Sequence, residues 1–202
     1  PLGRTKKAQV GFVTELLEKS EFATTALESV SDSSVVLPAS LAKFLRQIAD
    51  RQCVALGELL ALAIPDHMPK IEKLDPIAIN PAASEPTPIN ISPPLTAKSA
   101  VLSSARSIQL AGASQPDWAV LMVSAAMEQF RAGNSSILIV PERADIECLE
   151  SSLDALGFLE ATVVLKPGAK RSTRYQKFHQ IKDSARVIVV GTRSAIFAPT
   201  QN

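Results

Sequence analysis

Three short runs of apolar or β-branched residues, Ile137-Leu138-Ile139-Val140, Thr162-Val163-Val164-Leu165 and Val187-Ile188-Val189-Val190, recur through the second half of the chain. The segments between them have helical spacing. Ile146, Leu149, Leu153 and Leu156 stripe one, which Gly157 ends; Tyr175, Phe178 and Ile181 mark one side of another, predicted over 172–182. A helix is also predicted over 117–132, stopped by Gly133, with a short strand at 107–111 ahead of it. Repeated strand–helix alternation leaves little choice of architecture. It implies an α/β fold, a parallel sheet with helices on both faces. An unbroken apolar run such as Ile137 to Val140 fits a strand covered on both sides. Ligands of such sheets bind at the carboxyl ends of the strands. The loops expected there are 112–117, 141–145 and 191–194.

The first half has a different pattern. Val10, Phe12, Thr14 and Leu16 alternate with Gly11, Val13 and Glu15, which suggests a strand after a basic turn, Arg4 to Lys7. That turn could be a solvated hairpin tip or part of a phosphate-binding edge. Residues 18–34 are polar and read mostly as loop. Pro38 opens a helical segment whose Leu41, Phe44, Leu45 and Ile48 recur at spacings of three and four. Gly57 marks a break, and Leu59, Leu60 and Leu62 suggest a second short helix with an apolar face turned to a core. Eight prolines then fall between Ile64 and Leu95, which reads as a largely extended linker. The division is 1–63, 64–95 and 96–202.

Composition excludes several classes. With 46% hydrophobic and 20% charged residues and a net charge of +1, the chain is an ordinary globular sequence. Cys53 and Cys148 are far apart and both fall in helical patterns, so each is expected to be a small core residue. His67 and His179 lack neighbours at ligand spacing, so no metal site is expected in this chain. No apolar run approaches the ~18 residues of a membrane span. No signal peptide is recognisable, and a cytoplasmic protein without membrane partners is expected.

Charge is segregated. From 142 to 160 there are six acids and one base; from 166 to 193 there are eight bases and one acid. The basic stretch could follow a phosphate backbone, or it could form a solvated helix face.

Several segments together resemble one family, primosomal protein N′, the PriA replication-restart helicases of bacteria. The sequence Val187-Ile188-Val189-Val190-Gly191-Thr192-Arg193-Ser194-Ala195-Ile196-Phe197-Ala198-Pro199 is similar to that family's "ViGTRSAlFaP" motif. Leu138-Ile139-Val140-Pro141-Glu142 resembles "LvLVPE", and Arg174-Tyr175 with Phe178 resembles "eRy..w". Pro1-Leu2-Gly3-Arg4 with Gly11-Phe12-Val13 resembles "VPfGrr…G.V"; Leu37-Pro38 and Leu56-Gly57-Glu58 fit "lp..l…cplGevl". The resemblance implies a β-rich α+β DNA-binding domain that recognises a 3′ end, then a RecA-like parallel-sheet lobe of P-loop NTPase type. It implies ATP with magnesium as a family cofactor, and zinc in a later cysteine-rich region not contained here. As partners it implies branched or single-stranded DNA at replication forks, single-strand-binding protein and other primosome proteins. The absence of an initiator methionine suggests a fragment. The proline-rich segment is too short for the family's winged-helix domain, and the first strands of the DNA-binding domain and everything after the Phe-Ala-Pro end are expected to be missing.

Setting Gly112 at the first glycine of the phosphate-loop pattern Gly-x-x-x-x-Gly-Lys-Ser/Thr puts Asp117, Trp118 and Ala119 at its last three positions. Asp117 brings a negative charge to the phosphate site, Trp118 removes the cation, Ala119 removes the metal-binding hydroxyl and Pro116 deletes an amide donor. At ~1.5–3 kcal/mol per charge-assisted hydrogen bond the losses total several kcal/mol. Asp117 suits a helix N-cap instead. At the family's "PEiaLTpQ", Asp145 and Ile146 replace Leu-Thr. Some actinobacterial members lack the motor motifs, and this chain resembles that branch. The expected function is fork-DNA binding in replication restart without ATPase activity, with Gly191, Thr192, Arg193 and Ser194 contacting the strand and Arg4, Lys6 and Lys7 as further DNA-binding residues. Gly191 would allow close approach of the strand. An active 3′-5′ helicase and a generic α/β enzyme are the alternatives, the latter without a supporting acid–base set or nucleotide fingerprint.

Overall fold

The computed structural model describes residues 11–13, 18–19, 36–72, 79 and 118–201. Among these, a three-stranded parallel sheet is built from β1 (Ser136–Ile139), β2 (Thr162–Leu165) and β3 (Ile188–Gly191), in the order β1-β3-β2. Each predicted apolar run forms a strand within one residue of its expected limits. The expected strands at 107–111 and 10–16 lie outside the described residues, apart from 11–13, which carry no regular structure.

Register explains how the sheet is covered. Leu138, Val190 and Val164 line up across the strands, as do Ile137, Val189 and Val163. Side chains alternate between faces along each strand. The Leu138 row packs against α4 (Trp118–Arg131) and α5 (Arg143–Ala155) through Val123, Met127, Ile146, Leu149 and Leu153. The Val189 row packs under α6 (Arg171–Lys182) and the 3-10 turn Arg193–Phe197, against Ile181, Ala195 and Ala198. This is the expected mixed α/β arrangement with helices on both faces. Among the described strands, only β3 is buried along its whole length. β1 lies at the edge among the described residues, and Ile139 is 42% exposed, so the expectation of full cover fails there.

The helix ends are chemically specified. Gly133, at φ 91°, stops α4. Arg186 then caps it: its guanidinium donates to the Phe130 carbonyl at 3.1 Å and lies 4.5 Å from the Phe130 ring centroid. A cation there meets the partial negative charge of a helix C-terminus.

Upstream, α1 (Ala39–Gln52) buries Leu41, Leu45 and Ala49, and α2 (Leu56–Ala63) buries Leu59, Leu60 and Ala63. The break between them is made by Cys53, at φ 52°, and not by Gly57, which sits inside α2. Leu62, expected on the apolar face, is exposed. Both cysteines are exposed, against expectation. Cys53 closes a helix, and Cys148 falls off the Ile146, Leu149, Leu153 stripe and so faces away from the sheet. Within the proline-rich segment a helical turn, α3 (Pro69–Glu72), departs from the expected extended chain. Pro69 is its first residue, where a missing N–H costs nothing.

Residues of α1 and α2 share one core with α6. Phe178 of α6 is buried among Leu41, Leu45, Leu59, Leu60 and Ile64, and Phe197 packs against the same cluster. At its rim, Ser40 donates to the Thr200 carbonyl at 3.4 Å, and Asp66 pairs with Arg171 at 3.4 Å.

Candidate nucleic-acid interface

The parallel strands end on one edge, and the register sets what appears there. Ile139, Gly191 and Leu165 are aligned, so the chain leaves the sheet side by side at residues 140, 192 and 166. Neighbouring strands lie about 4.8 Å apart. Two of the expected loops, 141–145 and 191–194, are on this edge. A third, after β2, was not expected as a site.

Beside β1 the edge is acidic. The Glu142 N–H donates to the Asp145 carboxylate at 3.1 Å, so Asp145 closes the first turn of its own helix. Arg143 is occupied by Glu147 at 3.1 Å.

Beside β3 lies the Gly-Thr-Arg-Ser turn. Ala195 N–H donates to the Thr192 carbonyl at 2.7 Å and Ala198 N–H to the Ala195 carbonyl at 2.9 Å, which fixes a compact 3-10 turn. Arg193 and Ser194 are exposed, and Thr192 is half-buried. Gly191 has a different role from the one expected. It is the last residue of β3 and is buried; a Cβ there would stand 2.8 Å from the Ala195 Cβ. The glycine is required by the fold of its own turn, and it offers no surface to a ligand.

Beside β2 comes Lys166, then Lys170, Arg171 and Arg174 around the start of α6, all exposed. Lys166 pairs with Glu150 at 2.8 Å. The basic run therefore divides by position. Lys177, Lys182 and Arg186 serve the fold; Lys166, Lys170, Arg171, Arg174 and Arg193 stand at the carboxyl edge. Lys182 is buried and pairs with Asp183 at 3.1 Å. The Lys177 ammonium donates to the Val164 carbonyl. Burial pulls its pKa below the usual lysine value, and neighbouring Lys166 adds to the effect while Glu150 opposes it.

The sequence offered one signal for the loop after β2, the density of bases from 166 onward. In sequence that run is open to two readings, a phosphate track or a solvated helix face, because helix-face charges and edge charges look alike without the register.

Arg4, Lys6, Lys7, Gly112 and Asp117 lie outside the described residues. Trp118 and Ala119 open α4. Trp118 packs against the sheet core and Ala119 is 1% exposed within it. At the start of α4 these residues thus present a partly buried indole and a buried methyl. Among the described residues, no group of three or more His, Cys, Asp or Glu could hold a metal, and no helix is long and apolar enough to cross a membrane.

Fold and edge together define a mixed α/β protein whose parallel sheet presents a cationic rim suited to a polyanion. Residues 1–65 match the profile of a 3'DNA-binding domain (3'BD). The chain is 25% identical over 184 residues to the probable replication restart protein PriA of Mycobacterium leprae (strain TN), covering 87% of this chain and 28% of the relative. It is 28% identical over 183 residues to the proteins of the same description from Mycobacterium tuberculosis (strain CDC 1551 / Oshkosh) and Mycobacterium bovis (strain ATCC BAA-935 / AF2122/97), covering 86% of this chain and 27% of each relative. The chain thus spans about a quarter of the length of the curated relatives it matches. Over most of its own length it is similar to these PriA proteins.

Proposed function

We propose that this chain is the DNA-engaging part of a replication-restart protein, acting in the cytoplasm on branched or single-stranded DNA at stalled forks, and that it works without ATP hydrolysis. The observation that carries the reading is the match of residues 1–65 to a 3'DNA-binding domain. The exposed Arg193 and Ser194 support a second contact, in which the guanidinium pairs with a phosphate and the hydroxyl donates to one. Residues 96–202 are read as a RecA-like lobe that has kept its sheet while Trp118 and Ala119 displaced the nucleotide chemistry. Zinc, single-strand-binding protein and other primosome proteins belong to the assembly in which this chain would act.

Binding of the chain to a fluorescent fork with a free 3′ end, followed by anisotropy at two salt concentrations, tests the reading. Affinity should fall steeply with salt, and Arg193→Ala should weaken it. Binding that ignores both salt and Arg193→Ala sinks the reading. ATP hydrolysis stimulated by single-stranded DNA would overturn the motor-free part of it and favour a working helicase.

A further inference from the structure

We propose that the segment from Lys166 to Arg174 is a second phosphate track, which takes the backbone of a single DNA strand onward from the Arg193 turn; this rests on the DNA-binding reading above. The alignment of Leu165 with Gly191 starts both segments from adjacent strands on the same edge. Four cations, Lys166, Lys170, Arg171 and Arg174, are exposed there within nine residues of chain. Across β3, on the β1 side, the same edge carries Glu142 and Asp145, which would repel a polyanion and leave it one side to occupy. The basic cluster is also unfavourable for the fold. Helix α6 has no acidic residue in its first turn and no side-chain cap, while Lys170, Arg171 and Arg174 crowd its positive end. Cations at that end oppose the helix dipole. Two of the four have acidic neighbours, Glu150 on Lys166 and Asp66 on Arg171, and both pairs reach solvent, so a phosphate can compete for them. The ligand class is a phosphodiester chain, because the four cations are exposed and spread along a strip of nine residues.

The test is anisotropy of a fluorescent single-stranded oligonucleotide, read as the slope of log affinity against log salt. Three contacts to a single strand account for a slope of about 2. The triple variant Lys170→Gln/Arg171→Gln/Arg174→Gln should lose that amount, so its affinity falls roughly 20-fold less than wild type between 50 and 200 mM salt. A matched control, Arg131→Gln, exposed at the C-terminal end of α4 just before β1 begins and so off the carboxyl edge, should keep the wild-type slope. Asp66→Asn releases Arg171 and should tighten binding, a gain that misfolding cannot imitate. The proposal is overturned if the edge variant binds like wild type, if the matched variant loses as much, or if Asp66→Asn weakens binding. It is also overturned if the edge holds an acidic peptide that the oligonucleotide does not displace. Weaker binding by Arg193→Ala beside a wild-type edge variant removes this track alone; no binding by the wild-type chain removes the underlying reading as well.

Discussion

Replacing Gly191 by alanine places a methyl group 2.8 Å from the Ala195 Cβ, 3.1 Å from the Leu165 Cβ and 3.2 Å from the Leu165 carbonyl oxygen. Carbon atoms in good contact stand about 3.5–4.0 Å apart. Neither neighbour can easily give way. Ala195 is completely buried and its N–H holds the turn through Thr192, and Leu165 belongs to the β2–β3 ladder. Overpacking of this kind costs about 1–3 kcal/mol. With a urea dependence of about 2 kcal/mol per molar, the midpoint of unfolding should fall by about 0.5–1.5 M. Adding Ala195→Gly removes the shortest contact. The double variant should then be more stable than the sum of the single losses, by a coupling of at least about 0.5 kcal/mol. Strict additivity refutes the steric account. So does a Gly191→Ala protein that unfolds at the wild-type midpoint and loses only DNA binding, because the glycine would then serve the ligand.

Cys53→Gly should raise the free energy of unfolding by up to about 1 kcal/mol, since the left-handed conformation at φ 52° suits glycine, and an unchanged or lower value in urea titration counts against the strain argument. Gly57→Ala should also stabilise, by about 0.5–1 kcal/mol, because the site lies in α2 and a Cβ meets nothing within 4 Å. Arg186→Ala should cost about 1.5–3 kcal/mol by uncapping the Phe130 carbonyl, and Arg186→Lys should recover only part of it, as thermal melts would show. For Lys177 the folded state holds its proton less tightly than the unfolded chain, so wild-type stability should rise with pH from the lowered pKa toward 10.5. Lys177→Met should lack that rise, and urea midpoints of the two proteins that run parallel from pH 8 to pH 10 would contradict the assignment.

Local periodicity carried most of the fold. Ile146, Leu149 and Leu153 announced their helix and are all fully buried, and Tyr175, Phe178 and Ile181 behaved alike. What was not legible depends on neighbours distant in the chain. Gly191 carries the same glycine signal whether it spares a ligand or Ala195, and only the packing distinguishes them. The lysines and arginines after 166 form one run in sequence, yet strand register sends some to the rim while others cap Phe130 or cover Val164. Cys148 failed as a core residue because residue type was weighed above helical phase, and its phase was readable. The break at Cys53 was obscured because a left-handed cysteine gives no compositional sign, whereas Gly57 four residues later does.

Phe178 has a consequence for how the molecule comes apart. Its ring closes a core whose other members belong to α1 and α2, so neither region can open without leaving apolar surface in water. Units joined in this way lose structure together. Heating should therefore give one transition reported alike by backbone signals from both regions, and amides of α1 should exchange with solvent no faster than those of α6. A module matched as a separate DNA-binding domain would then draw its rigidity from the sheet beside it.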